Sequence, residues 1–264
     1  MHMDNADIAI IGGTGFYGSD LLENFREIEI STPYGKPSDS ITIGDFNGLK
    51  IAFLPRHGKK HSITPHRINF RANMWALKQL GVKRIITPDA VGSLQENIRP
   101  GEFLIPDQFI DLTNSRNNTF YDEGKVAHIS MAEPFCPELS RIVFESGKNL
   151  GYEMHDKGTV VVIQGPRFSS KAESKLYRSW DAQIINMEVS TECTLAREAE
   201  ICYAYIGMIT DYDTFADKTV NVTDVMEILK QNSNNAHDLI KDAIPKIPQK
   251  RGCACGDALK DAMV

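Results

Sequence analysis

The sequence predicts a single α/β domain with helices on both faces of a central sheet. Three observations lead to this class. Short apolar runs alternate with amphipathic segments along all 264 residues. No repeat, low-complexity segment or linker divides the chain. The run at residues 158–164 is apolar on both faces, as expected of a strand covered by helices on either side. We therefore expect residues 1–264 to form one domain, with a short CxC tail at about residues 250–264.

Hydrophobic periodicity places the individual elements. An apolar strand at residues 7–11 is closed by two glycines. In residues 69–80, Phe70, Met74, Leu77 and Leu80 share one helical face, and Gly81 supplies the C-terminal stop. The same patterns predict strands at 84–87, 158–164, 183–187 and 201–210, and helices at 137–150, 191–200 and 223–240.

Composition and charge exclude several classes of protein. Hydrophobic residues make up 42% and charged residues 24%, which rules out disorder and collagen-like fibres. The 29 basic and 35 acidic side chains give a net charge of −6, with no basic block to bind nucleic acid or an anionic membrane. No apolar stretch is long enough to span a bilayer, and the polar, acidic first residues predict no secretory signal. We expect a cytoplasmic protein.

The five cysteines predict no metal site. Cys136, Cys193 and Cys202 lie in apolar contexts typical of buried, reduced thiols. Cys253 and Cys255 form a CxC motif, but no second cysteine pair accompanies it, as zinc sites usually require. The tail is therefore either inert or a disulfide.

A glycine motif, GTGFYG at residues 13–18, follows the first predicted strand. Bare glycines there would let backbone amides approach a phosphate. Tyr121 and Lys125 have the spacing of a short-chain dehydrogenase pair, but acidic, glycine-containing residues separate them. No acidic residue ends a second strand to hold a ribose. We therefore retain an oxyanion-binding turn and keep the nicotinamide enzyme only as a minor alternative.

Four further polar segments follow predicted strands, where the sites of α/β folds gather. Each has an ordinary explanation when taken alone: a solvated basic loop, a turn with a core Phe, a core Met beside a surface Glu, and a helix cap. Together they offer hydrogen-bond donors for a phosphate, an aromatic face and two acids. They are Arg56 with His57, Phe168 with Ser169, Met187 with Glu188, and Asp211 with Asp213.

In combination these segments resemble the 5′-methylthioadenosine phosphorylase branch of the trimeric purine nucleoside phosphorylase family. The similarity runs from about residue 8 to about residue 244. Its most specific stretches are IGGTGF at 11–16, PRHG at 55–58, MAEPFCP at 131–137, GPRFSSKAES at 165–174 and TDYD at 210–213.

The resemblance implies a nucleoside phosphorylase fold with a mixed sheet, assembled as a homotrimer or a dimer of trimers. It implies phosphorolysis of 5′-methylthioadenosine, or a related 6-aminopurine nucleoside, to adenine and 5-methylthioribose 1-phosphate. Inorganic phosphate is then the co-substrate, with no metal or organic cofactor. The CxC tail is similar to the C-terminal cysteine pair of thermophilic archaeal members, which favours a disulfide.

The family pattern also implies roles for individual residues. Phe168 and Ile185 hold the base, Asp211 with Ser169 protonates it at N7, and Asp213 accepts from the 6-amino group. The remaining assignments are phosphate to Thr14, Arg56, His57 and Ala90, ribose to Met187, and the 5′ substituent to Val222, Val225, Met226 and His128 of a neighbouring subunit. We expect burial and Asp213 to raise the pKa of Asp211.

Two acids depart from the family pattern, because Asp89 and Glu188 stand where small hydroxyl residues usually contact phosphate. Carboxylates in that position should repel the anion unless basic groups screen them. The acids could pair with basic neighbours, or Glu188 could bind the ribose. One of them could instead activate water, making the protein a nucleoside hydrolase. A nucleoside-binding protein without catalysis is a further alternative.

Overall fold

The computed structural model describes residues 5–13, 16, 21–215 and 222–264, without the side chains of 222–225. The strands are β1 Ile8–Gly12, β2 Glu23–Ile28, β3 Ile41–Phe46, β4 Leu49–Pro55, β5 Arg84–Ser93, β6 Phe103–Ile105, β7 Gln108–Asp111, β8 Met154–Asp156, β9 Thr159–Val162, β10 Ile184–Asn186 and β11 Cys202–Asp211. The helices are α1 Phe70–Gln79, α2 Pro137–Asn149, α3 Lys171–Ser179, α4 Val189–Glu198 and α5 Val222–Ala243, with short 3₁₀ helices at Pro65–Arg67, Ile244–Lys246 and Ala254–Asp257.

The strands join in one mixed sheet whose main order is β2-β3-β4-β1-β5-β10-β9-β7. A branch leaves β5 through β11 and continues to β6 and β8. β5 pairs in parallel with both β1 and β11, whereas β10 joins the end of β5 in the antiparallel direction. The polar segments that follow β4, β5, β10 and β11 are thereby brought together around β5.

Two apolar clusters cover the two faces of the sheet. Residues of α1 and α4 form one cluster with alternate residues of the central strands, including Tyr203 and Tyr205 of β11. Residues of α2 and α5 form the other, which includes Ala204 and Ile206 of the same strand. The period-two alternation along β11 therefore divides one strand between two cores. This arrangement confirms the predicted class, a mixed α/β sheet flanked by helices on both faces.

Each predicted element is present, with one substantial difference in length. The strand predicted at 84–87 continues to Ser93 and so includes Pro88. Proline cannot donate a backbone hydrogen bond, which argues against a central strand. The pairing between β1 and β5 ends at Ile86, however, so no bond to β1 is required of Pro88. On the other side, β11 stays paired with β5 and places Ile206 opposite Pro88.

All five cysteines are free thiols in the structure. The structure therefore gives no support to the disulfide expected within the CxC tail. Cys253 instead lies with its sulfur 3.4 Å from that of Cys202, the first residue of β11. Cys136 and Cys202 are buried, as predicted. None of the helices in the described part of the chain is long and apolar enough to cross a membrane.

Candidate active site

A cavity of about 370 Å³ opens where the polar segments converge. Its walls are mainly apolar, but several polar side chains face into it. Ten of the residues predicted for the site line this cavity: His57, Ala90, Phe168, Ser169, Ile185, Met187, Glu188, Asp211, Asp213 and Met226. The fold therefore gathers residues that are far apart in the sequence into one site of the size expected for a small ligand.

The two carboxylates Asp211 and Asp213 follow each other at the end of β11. A register shift between Ile209 and Asp211 interrupts the pairing with β5, and such irregularities redirect side chains at strand ends. Asp211 accepts a 2.7 Å hydrogen bond from the Thr210 hydroxyl and a 2.8 Å bond from the Asp213 backbone N–H. Asp213 has a left-handed φ of 45°, which lets the chain turn back to make the second bond.

Burial raises the pKa of Asp211, and the charge of Asp213 acts in the same direction, as the sequence predicted. The hydrogen bonds from Thr210 and Asp213 favour the ionised form and partly offset this rise. Burial also raises the pKa of Asp213. The geometry therefore favours an acid that can share a proton with a ligand.

The loop after β9 and strand β10 add an apolar slot and a hydroxyl to the cavity. Phe168 is half exposed and Ile185 is buried, and both line the cavity. Ser169 Oγ and Asp213 Oδ2 are buried and make no hydrogen bond of good geometry among the described residues, although the Ser169 and Ser174 hydroxyls lie close enough to Asp213 to lower its pKa. Buried polar atoms are normally paired, so these two atoms leave space for the polar edge of a ligand.

A capping box fixes the loop that carries Phe168 and Ser169. The Ser170 side chain accepts from the Glu173 backbone at 3.2 Å, and the Glu173 carboxylate accepts from the Ser170 backbone at 2.7 Å. This reciprocal pair satisfies two backbone donors at the start of α3. Arg167 binds the same carboxylate with both terminal nitrogens. The loop is therefore anchored immediately beyond the residues that face the cavity.

Arg56 is completely buried behind the cavity wall rather than lining it. Its Nη1 donates to Asp89 Oδ2 at 2.6 Å, while Nε and Nη2 donate to the two oxygens of Glu192 at 2.6 and 3.1 Å. Asp89 also accepts from Asn186 Nδ2 at 3.0 Å and Tyr205 Oη at 3.3 Å. One of the two unusual acids is thus paired with a cation, which removes much of its repulsion toward an anion.

The other unusual acid, Glu188, lies beside His57 in the cavity wall. His57 Nε2 lies 3.5 Å from Glu188 Oε1, and His57 Nδ1 lies 2.7 Å from the Ile63 carbonyl oxygen. Burial lowers the pKa of His57 to about 4, with Arg56 acting in the same direction. Burial raises the pKa of Glu188 to about 8, and the charge of Asp89 adds to the rise. Both side chains are therefore uncharged at neutral pH.

Sequence reasoning missed Arg116, which supports the cavity from outside. Its Nη1 donates to the Met187 carbonyl at 2.7 Å, and its Nη2 donates to the Gln164 carbonyl at 2.9 Å. A cation that bridges these two strand-end carbonyls fixes the backbone beside Met187. Only a lone arginine in a polar loop marks this position in the sequence, so no local signal could have identified it. Glu192 was missed for a similar reason, because it reads as an ordinary helical acid.

Besides Arg56, four predicted residues are not brought into the cavity by described side chains. Thr14 and the side chains of Val222 and Val225 lie outside the described residues. His128 is described, but it is not part of the cavity of its own chain. Its backbone N–H donates to the Ala262 carbonyl at 2.8 Å. The predicted contribution of His128 to a neighbouring subunit stays a prediction.

Residues 7–245 match the family model described as the phosphorylase superfamily. The chain belongs to this superfamily. Among curated members, it is 54% identical to "S-methyl-5'-thioadenosine phosphorylase" of Nitrosopumilus maritimus, over 98% of both chains. It is 50% identical to the protein of the same name from Thermofilum pendens, over 99% of this chain and all of that one.

Solved structures of superfamily members have the same fold. The methylthioadenosine phosphorylase from an Antarctic soil metagenomic library superposes with a TM-score of 0.94 at 44% identity, covering 99% of this chain and 93% of that one. The methylthioadenosine phosphorylase of Schistosoma mansoni in complex with adenine gives a TM-score of 0.92 at 35% identity, covering 97% and 96%. The resemblance noted in the sequence is thus confirmed.

Membership of the phosphorylase superfamily also bears on the alternatives. Tyr121 and Lys125 lie in a segment without helix, so they do not form the helical pair of a dehydrogenase. The named relatives are phosphorylases, which gives the hydrolase alternative no support. Of the accounts offered for the two unusual acids, the described contacts agree with pairing to basic neighbours in the case of Asp89.

Proposed function

We propose that this protein cleaves 5′-methylthioadenosine with inorganic phosphate to give adenine and 5-methylthioribose 1-phosphate. The observation that carries the proposal is the acid pair Asp211 and Asp213, facing an apolar slot in a single cavity of suitable volume. The names of relatives that match nearly the whole chain support the same substrate. The reaction needs no organic cofactor or catalytic metal, since acids and bound phosphate supply its chemistry.

The base end of the cavity stabilises the leaving purine. Breaking the bond between the sugar and the base leaves negative charge on the purine, which a positioned acid offsets. Asp211 protonates N7, and the Ser169 hydroxyl assists it. The buried Oδ2 of Asp213 accepts from the 6-amino group, which favours adenine over a 6-oxopurine. Phe168 and Ile185 hold the ring between them.

The opposite end of the cavity binds phosphate. Ala90, His57 and Thr14 contact the anion, and Arg56 reduces the repulsion of Asp89 toward it. The uncharged Glu188 carboxyl donates a hydrogen bond instead of repelling the anion, because burial keeps it protonated near neutral pH. The two departures from the family pattern are therefore compatible with phosphate as the nucleophile. Met187, whose peptide is held by Arg116, positions the ribose between the two ends.

The decisive experiment incubates the protein with 5′-methylthioadenosine in the presence and absence of phosphate and identifies the sugar product. We expect adenine and a sugar 1-phosphate that appear only when phosphate is added. Free methylthioribose formed without phosphate would overturn the phosphate assignment. Saturable nucleoside binding without release of base would overturn catalysis altogether.

We further propose a homotrimer, or a dimer of trimers, in which His128 of one subunit completes the 5′ pocket of the next beside Met226, Val222 and Val225. Apolar side chains at that end suit a methylthio group, because a buried hydroxyl would need partners. We place this activity in cytoplasmic purine and methionine salvage.

Complementation between two inactive variants tests the shared site. Asp211→Asn and His128→Ala chains, mixed under conditions that exchange subunits, form hybrid sites that contain both wild-type residues. We expect the mixture to regain activity that neither variant has when exchanged alone. If mixing restores nothing while native mass spectrometry detects hybrid assemblies, the shared site is wrong.

A further inference from the structure

Four of the five cysteines converge on one point near the start of β11. Cys136 is the N-cap residue of α2, Cys202 opens β11, and Cys253 and Cys255 flank Ala254 at the last 3₁₀ helix. Their sulfur atoms all lie within 4.8 Å of one another. The sequence did not reveal this group, because the other two cysteines, Cys136 and Cys202, are far in the sequence from the CxC motif and from each other.

We propose that these four cysteines bind one zinc ion as a tetrathiolate site. Structural zinc is four-coordinate, and metal–sulfur distances of about 2.3 Å give a tetrahedron with edges of about 3.8 Å. The four sulfurs are therefore already near the required separation. Thiolates are soft ligands that favour zinc over magnesium or calcium. The proposal departs from the expectation of a metal-free chain, and it concerns a position away from the candidate active site.

Groups around the four sulfurs suit a negatively charged metal cluster. The Leu139 backbone N–H donates to Cys136 Sγ at 3.5 Å, and Arg197 Nη1 donates to Cys255 Sγ at 3.8 Å. Four thiolates around a divalent ion leave a charge of about −2. N–H donors and a nearby guanidinium offset that charge, as groups surrounding metal ligands commonly do.

The burial of the group matches a structural site with a route for the ion. Cys136 and Cys202 are fully buried and Cys255 is 3% exposed, so the site is almost dry. Cys253 is half-buried and leaves one side open to solvent. A metal can enter from that side, which a closed cluster would not permit.

The position of the cluster indicates what the zinc would do. Cys202 and Asp211 are the first and last residues of β11, about 30 Å apart at the usual rise per residue, so the ion takes no part in nucleoside cleavage. It joins the C-terminal tail to α2 and to the central sheet. Beyond the cluster, the tail holds the segment of His128 through the Ala262 carbonyl. Zinc would therefore stabilise both the tail and this segment.

Metal analysis of the wild-type chain tests the proposal directly. Protein purified under reducing conditions is measured for zinc by elemental analysis and for thiols by intact mass. We expect about one zinc per chain. Replacement by Co²⁺ should give the intense visible absorption of a tetrahedral tetrathiolate complex. Four free thiols without metal, or a mass lowered by the hydrogens lost to two disulfides, would overturn the proposal.

Two cysteine variants give a matched comparison. Cys253→Ser removes the half-buried ligand, whereas Cys193→Ser changes a buried cysteine outside the cluster, whose sulfur donates to the Pro134 carbonyl at 3.2 Å. We expect Cys253→Ser to contain no zinc, so that adding a chelator does not lower its Tm. Cys193→Ser should bind zinc, and a chelator should lower its Tm as it does that of the wild type. Equal zinc content in Cys253→Ser and the wild type would contradict the assigned ligand set. Phosphorolysis of 5′-methylthioadenosine is not needed for either readout.

Discussion

At the scale of single residues, burial raises the pKa of Asp211, while its two hydrogen bonds lower it. We expect Asp211→Asn to lower kcat/KM for 5′-methylthioadenosine by about 100- to 10,000-fold, because an amide cannot protonate the leaving base. Asn keeps an oxygen that can accept from Asp213, so folding should be preserved. Adenine release is the measurement, with circular dichroism as the control. Activity within a few-fold of wild type would make the acid assignment wrong.

Glu188 is the residue that should make phosphate binding depend on pH. Its pKa of about 8 means that it is neutral at pH 7 and becomes charged as the pH rises through that value. Asp89 and Glu192 disfavour its ionisation, while Arg56 and Arg116 favour it. We therefore expect KM for phosphate to rise in wild type above about pH 8, in addition to the change caused by phosphate's own ionisation.

Glu188→Gln separates these two effects, since its amide stays neutral throughout. Its KM for phosphate should follow only the ionisation of phosphate. The same protonation affects stability: an unfolded Glu ionises near pH 4.5, so wild type loses the contribution of the neutral carboxyl as the pH rises toward about 8. Glu188→Gln should then lose less stability than wild type over that interval. Identical pH profiles for phosphate KM would contradict the protonated carboxyl.

At the scale of elements, the turn after β1 approaches the buried ion pair very closely. A Cβ added at Gly13 would lie 2.1 Å from Asp89 Oδ1 and 2.7 Å from Arg56 Nη1. Gly13→Ala should therefore displace this pair and raise KM for phosphate more than KM for the nucleoside. Gly252→Ala is the control, because its Cβ would meet only the far end of the Glu138 side chain. Equal shifts in both Michaelis constants would argue against a phosphate-specific effect.

Helix α1 contributes to stability through its buried face. Leu77 is fully buried in the cluster between α1, α4 and the sheet, whereas Leu176 of α3 is 49% exposed. We expect Leu77→Ala to lower the free energy of unfolding by about 2–5 kcal/mol, because it removes contacts and leaves a cavity. Leu176→Ala should change it by less than about 0.5 kcal/mol. Denaturant unfolding of both variants measures the difference, and similar losses would contradict the assigned packing.

Elements could be predicted from the sequence where burial leaves a periodic pattern. Helix α1 and the central strands β9 and β11 have such patterns, and their observed bounds follow them closely. Strand β2 has no comparable pattern, because its first five residues are all exposed. The polar residues after Thr87 hid the full length of β5, since Asp89 is stabilised by partners elsewhere in the chain rather than by a turn.

At the scale of the whole molecule, the candidate site could be predicted only in part. The segments around His57, Phe168 and Asp211 carry recognisable residue types, and the fold brings them to one cavity. The ion pairs that neutralise the buried charges could not be predicted, because Arg56 and its partner Glu192 are 136 positions apart and no local pattern links them. The group of four cysteines was hidden in the same way, since a pair spacing describes only neighbours in the sequence.

The complete enclosure of Arg56 has a consequence for the rate at which phosphate arrives. A buried guanidinium held by Asp89 and Glu192 is already oriented, but its field is largely cancelled by the two carboxylates before it reaches the solvent. The chain as a whole carries a net charge of −6, so it offers the anion no long-range attraction. Phosphate therefore reaches this site without electrostatic steering. Its association rate should not show the steep decline with added salt that marks enzymes with exposed cationic funnels.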